Sequence, residues 1–372
     1  MSKPELRIVI SGGGTGGHIF PAIAIANALK KANALNEILF VGALGRMEME
    51  KVPAAGYRIE GLPISGIRRK LTLSNILVPF KALLSLLKAR NILKRFMPQV
   101  AVGVGGYASG PLLLAASQMH IPALIQEQNS YAGITNKLLS KRVQKICVAY
   151  NGMEKYFPAE KIILTGNPVR QDITRLEGKK EEALKFFGLD PTKKTILVIG
   201  GSLGARTINE SMEAGLKDFA AGNIQLLWQT GKPFFLRAAD AVLPFREKGI
   251  SAFDFIQRMD LAYAAADAVI SRAGASSVSE LCLAAKPSIL VPSPNVAEDH
   301  QSKNAKALVD RQAALLVKDS DACEWLVKVA LELIQDSKQQ EELKINIGKL
   351  ALPDSADRIV EEIYNLVKPA SR

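Results

Sequence analysis

The sequence contains few of the residues that form disulfides or bind structural metals. Its 372 residues include three cysteines and three histidines. The cysteines, Cys147, Cys282 and Cys323, are odd in number and far apart, which excludes a disulfide framework and a CxxC zinc or redox motif. The histidines are also well separated and no cluster of acids accompanies them, which argues against a structural metal. No cofactor is expected. A reducing cytoplasm fits this composition best.

Long uninterrupted apolar segments are missing as well. The apolar stretch near the N-terminus, Ile8 to Ile10, is shorter than the core of a signal peptide, so export is not expected. The stretch from Val100 to Ile125 has no Asp, Glu, Lys or Arg, but four glycines and two prolines interrupt it. That pattern predicts strand, loop and helix rather than a membrane span. With 48% hydrophobic residues, a chain of this length is expected to form two domains.

Acidic residues are nearly absent from one part of the chain. Between Gly61 and Met153, Glu127 is the single acid and stands against twelve Lys and Arg residues. This segment therefore carries nearly all of the net charge of +12. Such a concentration predicts one face directed at an anionic partner rather than a general coat for nucleic acid. Nucleic acid is also disfavoured because aromatic residues, which stack on bases, make up only 6% of the chain.

Within this basic segment, the residues from Leu73 to Phe96 have the spacing of an amphipathic helix. Leucines and Phe80 recur at helical intervals, and Lys81, Lys88, Arg90, Lys94 and Arg95 lie between them. Such a helix can bind an anionic lipid surface. Taken alone, the pattern is more typical of a surface helix that packs its leucines into the core and leaves its charges in water.

The order of predicted elements indicates the α/β class. Short apolar strands alternate with helices in the first half, beginning with a strand at Leu6 to Ser11 and a helix at Phe20 to Lys31. After the turn Gly166-Asn167-Pro168, a second series begins with the strand Thr195 to Gly200. Alternation of this kind predicts two doubly wound parallel sheets covered by helices.

Both halves begin with a glycine-rich turn between a strand and a helix. The first runs from Gly12 to His18 and the second from Gly201 to Arg206. Turns of this type bind phosphate or other anions, since backbone N–H groups and a helix N-terminus face the ligand. The first turn also satisfies G-x-G-x-x-G, which raises the alternative of a Rossmann dehydrogenase. A dehydrogenase needs a ribose-binding acid after the second strand, and Gly42 and Ala43 follow that strand instead.

Several polar residues follow other predicted strands. His18 comes directly after the first glycine turn, where acid or base chemistry is feasible, although it could simply cap the next helix. A third glycine turn, Gly103 to Pro111, is expected beside the first at the same sheet edge. Glu127, in the cluster Gln126 to Asn129, is either a salt-bridge partner or a working carboxylate.

The second half offers three further polar segments. Ser271 to Glu280 combines small hydroxyl residues with a carboxylate that could bind a ribose diol or merely favour the helix dipole. Pro292 to Asn304 is predicted to be a polar loop that could contact a sugar. Asp319 and Asp321 have the D-x-D spacing of some metal sites, but Asp321 followed by Glu324 is better explained as a capping box.

Seven motifs in a fixed order carry a family resemblance: GGGTGGHIFP, GVGGYASGP, QEQN, TGNPVR, GGSLGAR, RAGASSVSE and EDHQSKNA. In this order and spacing they closely resemble the MurG family, bacterial transferases that add N-acetylglucosamine to lipid I to make lipid II. The resemblance spans almost the whole chain. It implies a GT-B fold of two Rossmann-like domains with the ligand cleft between them, an acceptor domain at 1–167 and a donor domain at 168–355. The C-terminal helix, 356–372, is expected to pack back on the first domain.

The resemblance also assigns contacts with UDP-N-acetylglucosamine. The residues are Thr15, Gly16, Gly17, Asn129, Arg170, Ser202, Ile256, Ala275, Ser276, Ser277, Val278, Ser279, Glu280 and Gln301. Arg170 and the loop of Ser202 suit a diphosphate, and Glu280 suits the ribose hydroxyls. The backbone at Ile256 suits the uracil edge. The residues expected on the acceptor side are Gly14, Gly105, Gly106 and Tyr107.

The implied reaction is a single displacement that inverts the α-linked donor to a β-linked product without a metal. An arginine and a helix dipole would then stabilise the departing UDP. His18 and Glu127 are both candidates for deprotonating the 4-hydroxyl of the muramoyl sugar. Another UDP-sugar transferase of this fold, with a different acceptor, is the main alternative, and a non-catalytic protein that binds a nucleotide sugar or a lipid is a second. Leu203 stands where family members often carry Gln, so a polar contact by that side chain is lost or replaced.

The resemblance changes the interpretation of the basic helix. Because lipid I is linked to undecaprenyl pyrophosphate, the enzyme must reach the cytoplasmic face of the cell membrane. Leu73 to Phe96 is therefore the expected docking surface for anionic lipid, and the protein is expected to be peripheral. No nucleic acid partner is expected, while protein partners and oligomeric state stay open.

Overall fold

The computed structural model describes residues 3–64, 78–169, 173, 175–201, 204–296 and 299–367. The chain divides into two compact units, each with its own sheet. Unit 1 comprises Met1–Val169 and Asp354–Arg372, and unit 2 comprises Arg170–Pro353.

Strands and helices alternate along the chain, as the sequence pattern predicts. In chain order they are β1 (Arg7–Ser11), α1 (Gly16–Ala32), β2 (Glu37–Ala43), α2 (Glu48–Ala54), β3 (Arg58–Leu62), α3 (Val78–Phe96), β4 (Val100–Gly103), α4 (Ser109–Gln118), β5 (Ala123–Glu127), α5 (Ile134–Leu139), β6 (Lys145–Val148), β7 (Ile162–Leu164), α6 (Lys180–Phe187), β8 (Thr195–Ile199), α7 (Arg206–Ala214), α8 (Leu216–Ala221), β9 (Gln225–Gln229), α9 (Lys232–Val242), β10 (Ile250–Phe253), α10 (Met259–Ala265), β11 (Ala268–Ser271), α11 (Ala275–Ala284), β12 (Ser288–Leu290), α12 (His300–Val309), β13 (Leu315–Leu316), α13 (Ala322–Gln335), α14 (Ser337–Gly348) and α15 (Ser355–Val367).

Unit 1 is built on a seven-stranded parallel sheet in the order β3-β2-β1-β4-β5-β6-β7. Its central strands are buried on both faces, which explains why they are continuously apolar rather than alternating. The strand order reverses between β1 and β4, where Ser11 pairs with Gly103. In open parallel sheets ligands bind at such a reversal, beyond the carboxyl ends of the strands.

The C-terminal helix α15 belongs to unit 1. Ile359, Val360 and Ile363 are buried in the core cluster that also contains the apolar residues of α1. Tyr364 exchanges a hydrogen bond with the buried Asn36 side chain, whose Oδ1 accepts the Leu6 N–H at the entry to β1. The last helix is thereby joined to the strand that leads into the first glycine turn.

Unit 2 repeats the architecture with a six-stranded parallel sheet in the order β10-β9-β8-β11-β12-β13. Its largest buried side chain, Trp228 on β9, packs in a core with Ile208, Met212 and Phe219. The indole N–H donates to Asn209 Oδ1 at 3.0 Å, so this core tryptophan is also bonded to helix α7. The order reverses between β8 and β11, which places the second glycine turn at the reversal. The predicted α/β class with two doubly wound sheets is confirmed.

Three details differ from the sequence predictions. The first helix begins at Gly16 rather than Phe20; glycine and proline are weak helix formers, so Gly16, Gly17 and Pro21 obscure its start in the sequence. The segment from Pro292 to Asn304 is not all loop, since α12 begins at His300. Asp321 does precede α13, but its side chain makes no capping bond, so the predicted capping box is wrong.

Short edge strands were absent from the prediction. β7 and β13 have only three and two residues, too few for a hydrophobic pattern to mark them.

Among the described residues, no helix is long and apolar enough to cross a membrane.

Candidate functional site

Two glycine turns of unit 1 touch at the carboxyl edge of the sheet. The Gly13 N–H donates to the Gly105 carbonyl at 3.4 Å, and a Cβ on Gly106 would come within 2.3 Å of the Gly13 oxygen. Gly105 and Gly106 have φ values of +94° and +88°, a region that favours glycine. The expected juxtaposition of the first and third turns is thus confirmed, and it depends on residues without side chains.

His18 lies in the first turn of α1 and faces these glycines. Its ring packs so closely on Gly105 that a Cβ there would lie 2.8 Å from ring atoms. His18 Nδ1 is 3.0 Å from Gln128 Oε1, just past the end of β5. The side chain is half-buried. One ring nitrogen is therefore held by the protein.

Glu127, the single acid of the basic segment, is buried and organises the loop that follows β5. Its Oε1 accepts hydrogen bonds from the N–H and the side-chain amide of Asn129. Its Oε2 accepts from the Gly133 N–H at 3.0 Å and from Asn136 Nδ2 at 2.9 Å. Both carboxylate oxygens therefore fix the conformation of this loop. The loop includes Asn129, which is expected to contact the nucleotide sugar.

A second buried carboxylate, Glu48, holds the first glycine turn from the other side. Its oxygens accept the Gly14 N–H at 2.9 Å and the Ala43 N–H at 3.0 Å. Gly13 and Gly42 must lack side chains because a Cβ at either would overlap Glu48. The sequence prediction missed Glu48. The Gly14 amide is therefore already engaged, and the first-turn amides of Gly16 and Gly17 are the donors that the helix itself leaves unpaired.

The second glycine turn is fixed in the same way within unit 2. Gly204, at φ +78°, lies so near β9 that a Cβ would sit 2.0 Å from the Thr230 oxygen. Asn209 Nδ2 donates to the same oxygen at 2.9 Å. Ser202 and Leu203 in this turn, and Arg170, lie outside the described residues. The contacts expected for these three residues therefore stay predictions.

Helix α11 begins at Ala275, immediately after β11 and a short turn. Ala275 to Glu280 therefore all lie in its first two turns, and the helix N-terminus is at the sheet edge. Glu280 Oε2 accepts a hydrogen bond from the buried Tyr263 hydroxyl at 3.1 Å, which orients the carboxylate. The dipole of the helix favours negative charge at this end.

Arg272 stands just before this turn, yet its guanidinium is used for structure. It donates to the Val291 and Pro292 carbonyls and pairs with Asp319. The second Asp319 oxygen accepts from Thr207 on α7. Asp319 of the D-x-D motif is thus bonded to an arginine and a threonine. Among the described residues, no group of three His, Cys, Asp or Glu side chains could hold a metal.

The two remaining residues expected to contact the nucleotide sugar, Ile256 and Gln301, follow strands β10 and β12 of unit 2. The Ile256 N–H donates to Gln229 Oε1 at 2.9 Å. Gln301, in the first turn of α12, accepts the Ser293 N–H at 2.9 Å. Asn304 on the same helix donates to the Ala273 carbonyl and attaches α12 to the turn before α11.

Two of the thiols are unsuited to nucleophilic chemistry. Burial raises the pKa of Cys147 to about 12, and burial likewise raises the pKa of Cys282 to about 12. Both therefore stay protonated at neutral pH.

Family models match both units of the chain. The "Glycosyltransferase family 28 N-terminal domain" matches residues 8–148, and the "Glycosyltransferase family 28 C-terminal domain" matches residues 195–359. The two matched regions contain the glycine turns of units 1 and 2. Among the predicted contact residues, Arg170 lies between them.

Curated relatives match along their whole length. A protein from Parabacteroides distasonis is 59% identical over 363 residues, covering 98% of this chain and 99% of its own. One from Bacteroides thetaiotaomicron is 59% identical over 368 residues, covering 98% and 99%. Both are named UDP-N-acetylglucosamine--N-acetylmuramyl-(pentapeptide) pyrophosphoryl-undecaprenol N-acetylglucosamine transferase.

A solved structure agrees with these relatives. The crystal structure of Acinetobacter baumannii MurG superposes with a TM-score of 0.78 at 28% identity, covering 97% of this chain and 100% of that one. The chain therefore belongs to glycosyltransferase family 28 and, within it, to the family of these N-acetylglucosamine transferases.

Proposed function

We propose that this chain transfers N-acetylglucosamine from UDP-N-acetylglucosamine to the 4-hydroxyl of the muramoyl sugar of lipid I, which yields lipid II for peptidoglycan. The observation that carries the proposal is the 59% identity to transferases of this name across 98% of the chain. The glycine turns at the strand-order reversals of both sheets support it, because each is a place where a parallel sheet binds its ligand.

In the proposed reaction His18 is the general base. Its Nε2 takes the proton of the acceptor 4-hydroxyl while that oxygen forms a bond to the anomeric carbon of the donor sugar. The bond from this carbon to the phosphate oxygen breaks, and UDP leaves with the electron pair. Glu127 is the weaker candidate, since its oxygens already accept four hydrogen bonds from Asn129, Gly133 and Asn136.

UDP is stabilised without a metal in this proposal. The N-terminal amides of α11 and its dipole provide positive potential, and Arg170 adds a full charge. Glu280, oriented by Tyr263, accepts from the ribose hydroxyls, and the Ile256 carbonyl contacts the uracil edge. Fixed dipoles of this kind replace the cation that other nucleotide-sugar enzymes use.

The reaction itself is the first test. UDP release from UDP-N-acetylglucosamine, measured with a lipid I analogue, should require the analogue and should proceed at the same rate in EDTA. Dependence on added divalent cation would overturn the metal-free proposal. Absence of turnover by folded protein that binds UDP would point to another acceptor.

We further propose that helix α3 docks the enzyme on the cytoplasmic face of the membrane. The helix has two apolar stripes. One, with Ala89, Ile92 and Leu93, is buried in the core of unit 1. The other is exposed to solvent: Phe80, Leu83, Leu84 and Leu87 are 61%, 54%, 42% and 48% exposed.

This second stripe distinguishes a docking helix from an ordinary packed one. A helix that only packs would bury its leucines, whereas here they stand in water beside Lys81, Lys88, Arg90 and Lys94. Ile134 and Leu138 on α5 are also exposed, at 63% and 74%, and α5 packs on α4, which packs on α3. Residues 73–77, the start of the predicted helix, lie outside the described residues.

Charge reversal on α3 should weaken lipid binding. Each Lys or Arg near an anionic surface contributes about 1 kcal/mol, so the change of Lys81, Lys88, Arg90 and Lys94 to Glu should weaken binding to phosphatidylglycerol vesicles about 1000-fold. Transfer to a short-chain soluble acceptor should persist. The matched control changes four exposed lysines of unit 2, Lys217, Lys232, Lys248 and Lys338, to Glu. Equal losses in both variants would mean that net charge, not α3, governs binding.

A further inference from the structure

A chain of buried amides lies behind His18. Gln126, Gln128 and Asn167 are 0%, 1% and 3% exposed, and they are connected by side-chain hydrogen bonds. Gln126 Nε2 donates to Asn167 Oδ1 at 2.9 Å, and Asn167 Nδ2 donates to the Gln128 carbonyl at 2.9 Å. The side chain of Gln128 ends this chain and is the group that contacts His18.

The partners of Gln128 determine which way its amide faces. Its Nε2 donates to the Val104 carbonyl at 2.8 Å and to the Gln126 carbonyl at 3.2 Å. Backbone carbonyls only accept, so the amide nitrogen must face them and the amide oxygen must face the imidazole. A flipped amide would place its oxygen against two carbonyl oxygens in a buried site, which would cost both hydrogen bonds.

We propose that Gln128 is a positioning residue that fixes the tautomer of His18. An amide oxygen can only accept, so the imidazole must place its hydrogen on Nδ1. A neutral imidazole with Nδ1–H has its lone pair on Nε2, the atom that must accept a proton from the acceptor hydroxyl. The inference rests on the proposed role of His18 as the base.

The glycine turns complete the arrangement. The ring lies against Gly105, where no side chain can intervene, and the Val104 carbonyl that orients Gln128 belongs to the same turn. The third turn therefore sets both the plane of the imidazole and, through Gln128, its tautomer. Free histidine prefers hydrogen on Nε2, so without Gln128 the dominant neutral form would present a donor, not a base, to the hydroxyl.

The tautomer can be measured directly in the intact protein. The chain has three histidines, so ¹⁵N-histidine labelling gives a simple spectrum, and the His18→Gln variant identifies the His18 signals. At about pH 8.5, two units above the ordinary histidine pKa of about 6.5, a nitrogen bearing hydrogen and a bare one resonate far apart. We expect His18 to show hydrogen on Nδ1. Hydrogen on Nε2 in the unmodified protein would overturn the inference, whatever the enzyme's turnover.

Replacing Gln128 by methionine, of similar shape but without an amide, links the tautomer to the reaction. We expect the His18 signals to shift toward the Nε2–H form and kcat to fall by about 10- to 1000-fold, with the KM for the nucleotide sugar unchanged. Gln144→Met is the matched control, because Gln144 also bonds a backbone group of β5, the Ala123 N–H, but is exposed. It should change neither the spectrum nor kcat.

The two readouts separate failure of this inference from failure of the proposed function. Suppose that His18 shows hydrogen on Nδ1 but that the His18→Gln variant keeps full turnover. Gln128 would then fix the tautomer of His18, but His18 would not be the base. A Gln128→Met variant with normal kcat would contradict the positioning role. If Gln128→Met does not fold, the spectrum of the unmodified protein still decides the tautomer.

Discussion

Replacing His18 by alanine is expected to lower kcat by about two to four orders of magnitude, the usual contribution of a positioned general base. The affinity for UDP-N-acetylglucosamine should change little. The donor contacts expected near this residue are backbone amides of Gly16 and Gly17, which the substitution leaves in place. Loss of kcat with retained donor affinity is the signature of a group that acts on the acceptor hydroxyl in the transition state.

The measurement combines steady-state kinetics with a lipid I analogue and calorimetric titration with the nucleotide sugar. His120→Asn is the matched control, because His120 is an exposed histidine of unit 1 whose φ of +57° suits asparagine. It should retain full kcat. Turnover by His18→Ala within about tenfold of the unmodified enzyme would exclude His18 as the base and return attention to Glu127.

Much of the fold could be predicted from the sequence because its strands are buried on both faces. Runs such as Ile38 to Val41 are apolar throughout, and alternation with helices admits few topologies beyond a parallel sheet. The positions of the glycine turns could also be predicted for a physical reason. Gly105, Gly106 and Gly204 adopt positive φ angles that favour glycine, and this requirement is local and visible in the sequence.

The supporting residues could not be predicted in the same way. Glu48 lies beyond β2 and contacts Gly14, 34 positions away, while Gln128 contacts His18 across 110 positions. Neither spacing has a periodicity or a motif that a single sequence can display. Arg272 shows the same limit: nothing in the sequence indicates its partners, but in the structure it joins β11, β12 and Asp319. The residue type indicates which chemistry a side chain can perform. Its hydrogen-bond and ion-pair partners in the fold determine whether it supports the structure or is available to a ligand.

Replacing Gly106 by alanine should have the largest effect on stability of any single change in the glycine turns of unit 1. Two costs add. The backbone angle of +88° strains any residue with a Cβ by about 1–3 kcal/mol, and the new Cβ would lie 2.3 Å from the Gly13 oxygen. The two turns would have to separate, which would also move Gly105 away from the ring of His18, the proposed base. We expect a loss above about 2 kcal/mol and a collapse of kcat.

Two other glycines separate these costs. Gly14 has a φ of +85°, but no atom lies within 4 Å of the position that a Cβ would take, so Gly14→Ala tests backbone strain without overlap. Gly110 lies in α4 with an ordinary φ and with Thr135 3.5 Å away, so Gly110→Ala should be neutral or stabilising. Calorimetry should rank the Tm values as Gly106→Ala below Gly14→Ala below Gly110→Ala, with about 2–4 °C per kcal/mol for a unit of this size. Equal Tm losses at Gly106 and Gly14 would mean that overlap with the Gly13 oxygen adds nothing to the cost of backbone strain. Close packing of the two turns would then not contribute to stability.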